Sequence, residues 1–331
     1  MPNIQRIGIL GAGAWGTTLA IVTRRAGRDV TLWARRPEQA RALANNRENV
    51  LHLPGVPLDP AIAVTGDIQT ALKADAVLVA LPAQHLREHL APLAWPAFLP
   101  AVICAKGIER GSLNSMPAVM AAIQPQAPLA MLSGPTFAGE VARGKPAAIV
   151  IAAKDMALAE NLAAAIATPE FRPYASDDLV GVALGGAVKN VLAIGCGMVV
   201  GRGLGQNARA ALVTRGLAEL ARLVDAAGGR RETAMGLSGA GDLILTATSS
   251  QSRNTSLGED LGRGRTLAAI LAERQSVAEG VESAAAVVAL AGRHGVEMPI
   301  CESVAAVLAG GSIDEELRRL LARPLKRESE Q

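Results

Sequence analysis

Aromatic residues are nearly absent from this chain of 331 residues, which has three Trp, three Phe and one Tyr. So sparse a set excludes the stacking platforms on which proteins hold unpaired bases. An excess of one charge is missing too. The net charge is +3 and the basic residues are dispersed. That argues against nucleic acid as a partner and leaves a modest attraction for anionic small molecules. Cysteine is limited to Cys104, Cys196 and Cys301, far apart, odd in number and without a C-x-x-C pair. This is the pattern of reduced, buried thiols in a cytoplasmic protein. The four histidines, His52, His85, His89 and His294, form no zinc-binding constellation, so no metal is expected. No uninterrupted apolar run reaches the about 18 residues of a membrane span, and no charged segment with an apolar signal core opens the chain.

What is present in quantity is small and aliphatic. Hydrophobic residues make up 50% of the chain, mostly Ala, Val, Leu and Ile, enough for two domains with a large core. The organising stretch is Gly11-Ala12-Gly13-Ala14-Trp15-Gly16. An apolar run, Ile7 to Leu10, precedes it, and a helix-like segment from Thr17 follows. Strand, G-x-G-x-x-G and helix in this order form a dinucleotide-binding fingerprint. Gly11 permits the tight turn, Gly13 leaves room for a pyrophosphate, and Gly16 lets the helix sit close to the strand. The helix N-terminus then presents N–H groups and a partial positive charge to the phosphates. At the end of the next strand, Asp29 to Ala34, an NAD site usually carries Asp or Glu; here Arg35-Arg36 follow instead. Two guanidiniums suit a 2′-phosphate, which favours NADPH or tolerance of both NADPH and NADH.

Further strands are expected near residues 62–64, 76–81, 101–105, 129–132 and 148–152, with an edge strand over 171–174 because Pro173 cannot donate to a ladder. Asp67 and Asp155 are suited to cap the helices that follow them. The alternation predicts an α/β fold: a doubly wound, Rossmann-type parallel sheet over residues 1–180 and a C-terminal all-helical domain over 181–331. Ligands of such sheets lie beyond the carboxyl ends of the strands, where Lys106 and the Gly134–Thr136 turn stand. In the helical part, Leu237 to Asp242 reads as a second glycine-rich turn, and Ser312 with Glu315 fits a capping box.

Lys189 interrupts a helix of small apolar residues. A lysine there needs partners to be buried, and desolvation would bring its pKa toward a range useful for proton transfer; it could instead snorkel to the surface. Asp242 heads a helix, as an N-cap or as a carboxylate for a substrate hydroxyl or a lysine. Ser252-Arg253-Asn254 combines a guanidinium fork with a helix start, which suits a phosphate, and reads equally as an exposed loop.

Gly11–Gly16, Lys106-Gly107, Ser133–Ala138, Val188-Lys189-Asn190, Gly239–Asp242 and Ser252–Asn254 occur in one order. Together they resemble the bacterial NAD(P)-dependent glycerol-3-phosphate dehydrogenases from about residue 5 to about residue 310. The resemblance implies reversible hydride transfer between NAD(P)H and dihydroxyacetone phosphate to give sn-glycerol 3-phosphate, feeding phospholipid synthesis. It implies Lys189 as the catalytic acid/base, and Lys106, Gly134, Thr136, Asp242, Ser252, Arg253 and Asn254 around the substrate. It also implies cofactor contacts at Ala14, Trp15, Arg35, Arg36, Lys106, Ala138, Arg253, Val277 and Glu279. His52 stands where relatives often carry Tyr. Alternatives are a reductase of a 2-keto or 2-hydroxy acid and a non-catalytic NAD(P) redox sensor, though a sensor needs no Lys189, Lys106 and Asp242. A homodimer is a further expectation, from the alanine-rich helical faces.

Overall fold

The computed structural model describes residues 4–274, 278–325 and 327; Val277 and most of the charged Lys326–Gln331 tail lie outside the described residues. The chain divides into two compact units, one of residues up to Ala105 with Met116–Val182, the other of Lys106–Ser115 with residues from Ala183 onward. Lys106–Ser115 therefore belongs with the helical unit, although it falls inside the 1–180 range expected from the sequence. The segment is tied there by Arg293, which donates to the Ser112 carbonyl, and by an ion pair of Arg110 with Glu282.

In the first unit, strands β1 (Arg6–Leu10), β2 (Asp29–Trp33), β3 (Ala63–Thr65), β4 (Ala76–Val79), β5 (Ala101–Ile103), β6 (Leu129–Ser133), β7 (Ala147–Ala153) and β8 (Phe171–Ser176) form one sheet. Its order is β3-β2-β1-β4-β5-β6-β7-β8. The strands from β3 to β6 are parallel, so the strand order reverses between β1 and β4. β4 and β5 are buried throughout, as strands covered by helices on both faces must be. The sheet is the expected doubly wound, mostly parallel one, with one exception: β7 runs antiparallel to β6, and β8 is parallel to β7. The helix between β6 and β7, Ala138–Ala142, has 5 residues and a length of about 7.5 Å. It cannot return the chain along a strand of 7 residues, about 23 Å long, so the chain turns back where it stands. β8, with Pro173, lies at the sheet edge.

In the second unit no regular strand occurs among the described residues. The central helix, Leu179–Gly201, is long and apolar enough to cross a membrane, but 94% of its most apolar 18-residue window is buried inside the protein. It meets the helix Arg253–Gly262 backbone to backbone. A Cβ at Gly197 would stand 2.1 Å from the Thr255 carbonyl oxygen, and one at Gly258 would stand 2.1 Å from that of Ile194. Leu237–Gly241, expected as a turn, is instead a stretch of π-helix running into the helix Asp242–Ala247. Gly239 allows this, since a Cβ there would lie 2.0 Å from the Ala234 carbonyl oxygen. Ser312 precedes the helix Ile313–Leu321, but its side chain makes no capping bond, so the expected capping box does not form. Elsewhere the buried Glu219 accepts the Ile300 and Cys301 N–H groups at 2.7 and 3.2 Å, capping the helix Pro299–Leu308.

Candidate active site

The first unit builds a tight glycine turn at the carboxyl end of β1. Gly11 has φ +111°, and a Cβ there would lie 2.6 Å from the Ala80 carbonyl oxygen. A Cβ at Gly16 would lie 1.8 Å from the Gly11 carbonyl oxygen, so only glycine lets the helix Ala14–Arg25 start so close to the strand. Gly13 is different: a Cβ there would meet nothing within 4 Å, and no side chain caps this helix. Open space beside the N–H groups of a helix start fits a pyrophosphate. The turn is held from behind by two amides that the sequence did not single out. Gln39 and Asn49 both donate to the Ala12 carbonyl, at 2.9 and 3.0 Å, and Asn49 also donates to Thr17 Oγ1 at 2.7 Å. Thr18 donates to the Ala138 carbonyl, which brings the start of the Ala138–Ala142 helix beside Ala14. Ala14 and Trp15 open the first helix, and Arg35 and Arg36 are exposed just beyond β2. Gly134 sits at the end of β6 with φ +138°, where a Cβ would crowd Ile149 Cα at 2.9 Å; the Thr136 hydroxyl donates back to its carbonyl. His52 is exposed, and partial burial and Arg36 hold its imidazole below the usual range.

The second unit brings together three of the residues singled out from the sequence. Lys106 Nζ lies 2.6 Å from Asp242 Oδ2, and Lys189 Nζ lies 3.0 Å from Asp242 Oδ1. Asp242 is 2% exposed and Lys189 8%. Burial alone would raise the Asp242 carboxyl, but the two ammonium groups outweigh it and hold the pKa below the usual carboxylate range. Burial pushes Lys189 down, Lys106 pushes the same way, and Asp242 opposes them. Lys189 thus does not snorkel, and Asp242 does not cap its helix; Gly241 holds that position. The three groups carry one net positive charge, which suits an anionic substrate and a developing oxyanion.

Lys189 also donates to Thr246 Oγ1 at 2.9 Å, and that hydroxyl donates to the Asp242 carbonyl at 2.6 Å. Thr246 was missed in the sequence, although its spacing of four from Asp242 puts both on one helix face. Thr255 donates to the Thr246 carbonyl and so ties the helix Asp242–Ala247 to the helix Arg253–Gly262. Asn254 donates to Asn190 Oδ1 at 2.9 Å and accepts the Gly280 N–H; Asn190 donates to Glu279 at 3.2 Å. Asn254 and Glu279 therefore join the lysine's helix through Asn190. Ser252 caps its helix, accepting the Thr255 N–H, which leaves its own hydroxyl hydrogen to donate. The Arg253 side chain is exposed at the same helix start. Among the described residues no group of three or more His, Cys, Asp or Glu is placed to hold a metal ion.

Two family models match the chain: the N-terminus of NAD-dependent glycerol-3-phosphate dehydrogenase over residues 6–159 and the C-terminus over residues 178–317. A glycerol-3-phosphate dehydrogenase (NAD(P)+) of Rhodospirillum rubrum is 60% identical over 98% of this chain and 94% of its own. One of Caulobacter vibrioides is 54% identical over 99% of this chain and 100% of its own. The crystal structure of glycerol-3-phosphate dehydrogenase from Coxiella burnetii matches with a TM-score of 0.92 and 36% identity, covering 97% of this chain and 100% of that one. A ketopantoate reductase from Ralstonia eutropha JMP134, 18% identical with a TM-score of 0.61 over 96% of this chain and 100% of its own, shares the fold.

Proposed function

The chain belongs to the NAD-dependent glycerol-3-phosphate dehydrogenase family, and we propose that Lys106, Asp242 and Lys189 are its reaction centre. The enzyme interconverts dihydroxyacetone phosphate and sn-glycerol 3-phosphate with NADPH or NADH. The observation that carries the proposal is a pair of lysines sharing one buried carboxylate. When the dinucleotide is bound, the nicotinamide supplies or accepts the hydride. In reduction, Lys189 gives its proton to the oxygen at substrate C2 as that oxygen gains charge, and in oxidation it takes the hydroxyl proton back. Burial supports this role, because it makes the ammonium a readier donor than an exposed lysine. Lys106 keeps a positive charge close by, and Asp242 and Thr246 fix the direction in which the Lys189 ammonium points.

Arg253, Ser252 and the N-terminus of a helix of 10 residues suit the substrate phosphate. Asn254 holds Asn190 on the lysine's helix, and the family resemblance adds Asn254, Gly134 and Thr136 as substrate contacts. For the dinucleotide, Gly11, Gly13 and Gly16 shape the cradle, with Ala14, Trp15, Arg35, Arg36 and Ala138 around it. Lys106, Arg253, Val277 and Glu279 are further cofactor contacts by resemblance, Val277 lying outside the described residues. Three buried free thiols support a cytoplasmic placement. Ala210 and Ala211, exposed on the helix Gly205–Ala226, support a homodimer, which light scattering would test.

The deciding assay follows NADPH and NADH oxidation with dihydroxyacetone phosphate and, separately, with a 2-keto acid. Turnover with the triose phosphate alone is expected. A Lys189→Ala protein that still binds both ligands and keeps wild-type turnover would overturn the acid/base role. Binding of the cofactor without turnover on any ketone would indicate a sensor.

A further inference from the structure

The first unit holds a polar cluster for which the reaction itself has no use. Arg35 Nη1 lies 3.1 Å from His89 Nε2, and His85 Nδ1 lies 3.1 Å from Glu88 Oε2. The two imidazoles stack with their centroids 6.2 Å apart and 29° between their planes. His85 immediately precedes the short helix Leu86–Leu90 and His89 lies within it; Leu86 and Leu90 of that helix are fully buried. With both leucines in the core, the helix cannot rotate, and His89 is held at a set position beyond β4.

Arg35 follows β2, and β1 lies between β2 and β4 in the sheet. Two strand spacings, together about 10 Å, therefore separate the strands from which the partners come. The Arg35 and His89 side chains close that separation between them, meeting at 3.1 Å. An exposed arginine without such an anchor samples many rotamers, and ordering it on binding is costly. The contact requires an unprotonated Nε2, since a guanidinium has no acceptor. Partial burial lowers the His89 pKa, Glu88 raises it, and Arg35 and His85 lower it again; the net direction is down.

We propose that His89 is a specificity-determining residue that positions Arg35 for the 2′-phosphate of NADPH, and so sets the preference between NADPH and NADH. The proposal rests on the reading of Arg35 as a contact of that phosphate. It assigns His89 no contact with the reacting atoms. NADH, which lacks the phosphate, gains nothing from a preorganised Arg35.

The test measures kcat and KM for NADPH and NADH in wild type, Arg35→Ala, His89→Ala, His89→Gln and the Arg35→Ala/His89→Ala double variant. For His89→Ala, KM for NADPH rises by about threefold to tenfold, the range of one lost hydrogen bond. Its KM for NADH and both kcat values stay unchanged. His89→Gln, whose amide oxygen can accept the same N–H, restores much of the NADPH value. In the double variant the loss is no larger than in Arg35→Ala alone. If Arg35→Ala shifts the NADPH/NADH ratio but His89→Ala does not, the role of His89 is overturned while the Arg35 reading stands. If Arg35→Ala leaves the ratio unchanged, the reading beneath it fails as well. Equal changes for both cofactors in His89→Ala would mark a structural role only and also refute the proposal.

Discussion

Replacing Asp242 by Asn keeps the shape of the reaction centre and removes its only negative charge. The carboxylate stands 2.6 Å from the Lys106 ammonium and 3.0 Å from that of Lys189. At an effective dielectric constant of about 20, each attraction is worth about 6 kcal/mol. Removing one partner of a buried ion pair costs about 3–5 kcal/mol, unless the stranded charge can neutralise itself. Lys189 can do so. Its pKa is already lowered by burial and by Lys106, and loss of the carboxylate removes the group that opposes them, so it falls further. In Asp242→Asn, Lys189 therefore gives up its proton more readily than in wild type, and the protein folds with a smaller loss than the full ion-pair figure. As Lys189 loses its proton, reduction of dihydroxyacetone phosphate loses the benefit of a general acid, up to about 10²–10⁴-fold in turnover. The profile of turnover against pH then changes as well, its optimum moving to lower pH where Lys189 regains its proton. Steady-state kinetics across pH, with circular dichroism to show folding, would check this. A folded Asp242→Asn protein with turnover within about twofold of wild type, and an unmoved pH profile, would refute the reasoning.

Thr246→Val removes the hydroxyl that accepts from Lys189; kcat is expected to fall about tenfold, as for one oriented hydrogen bond to a charged group, with a small change in thermal stability. Two glycine substitutions should separate folding from binding. Gly13→Ala, whose Cβ meets open space, keeps its melting temperature and loses cofactor affinity in a titration; Gly16→Ala, whose Cβ would sit 1.8 Å from a carbonyl oxygen, loses stability first. An equal loss of stability in both would contradict the cradle. Glu219 should make stability fall with rising pH. Burial raises its carboxyl to about 7 in the folded chain, so folding binds its proton more tightly than the unfolded chain does. The contribution is fully present below about pH 4 and is lost by about pH 7, a difference of roughly 3 kcal/mol. Urea unfolding of Glu219→Gln from pH 4 to pH 8 should show a flatter dependence than wild type, and an identical slope would show that Glu219 does not titrate in this way.

The local grammar of the chain was legible without coordinates. Gly11, Gly13 and Gly16 lie within one turn, and their meaning depends only on the strand before and the helix after. Asp67 and Asp155 cap their helices from neighbouring positions, Gln69 N–H and Ala157 N–H being two residues away. Lys189 stood out because a charge in an apolar helix needs a reason. Each of these inferences spans a few residues, over which spacing and side-chain chemistry limit the outcomes to a small set.

What tertiary structure decided has long sequence separations. Lys106 and Asp242 are 136 residues apart, and nothing local to either indicates that they share an ion pair. Asn49 reaches the glycine turn over 37 residues only because the chain after β2 folds back to it. The antiparallel pairing of β7 followed from a helix too short to cross the sheet, which strand-by-strand reading cannot measure. The π-helical run before Asp242 looked like a turn because glycine serves both. From sequence alone, residue type and spacing single out candidates suited to cradling phosphates or moving a proton. Packing decided which of them meet, because burial of the apolar helix faces chooses among the long-range arrangements that local geometry leaves open.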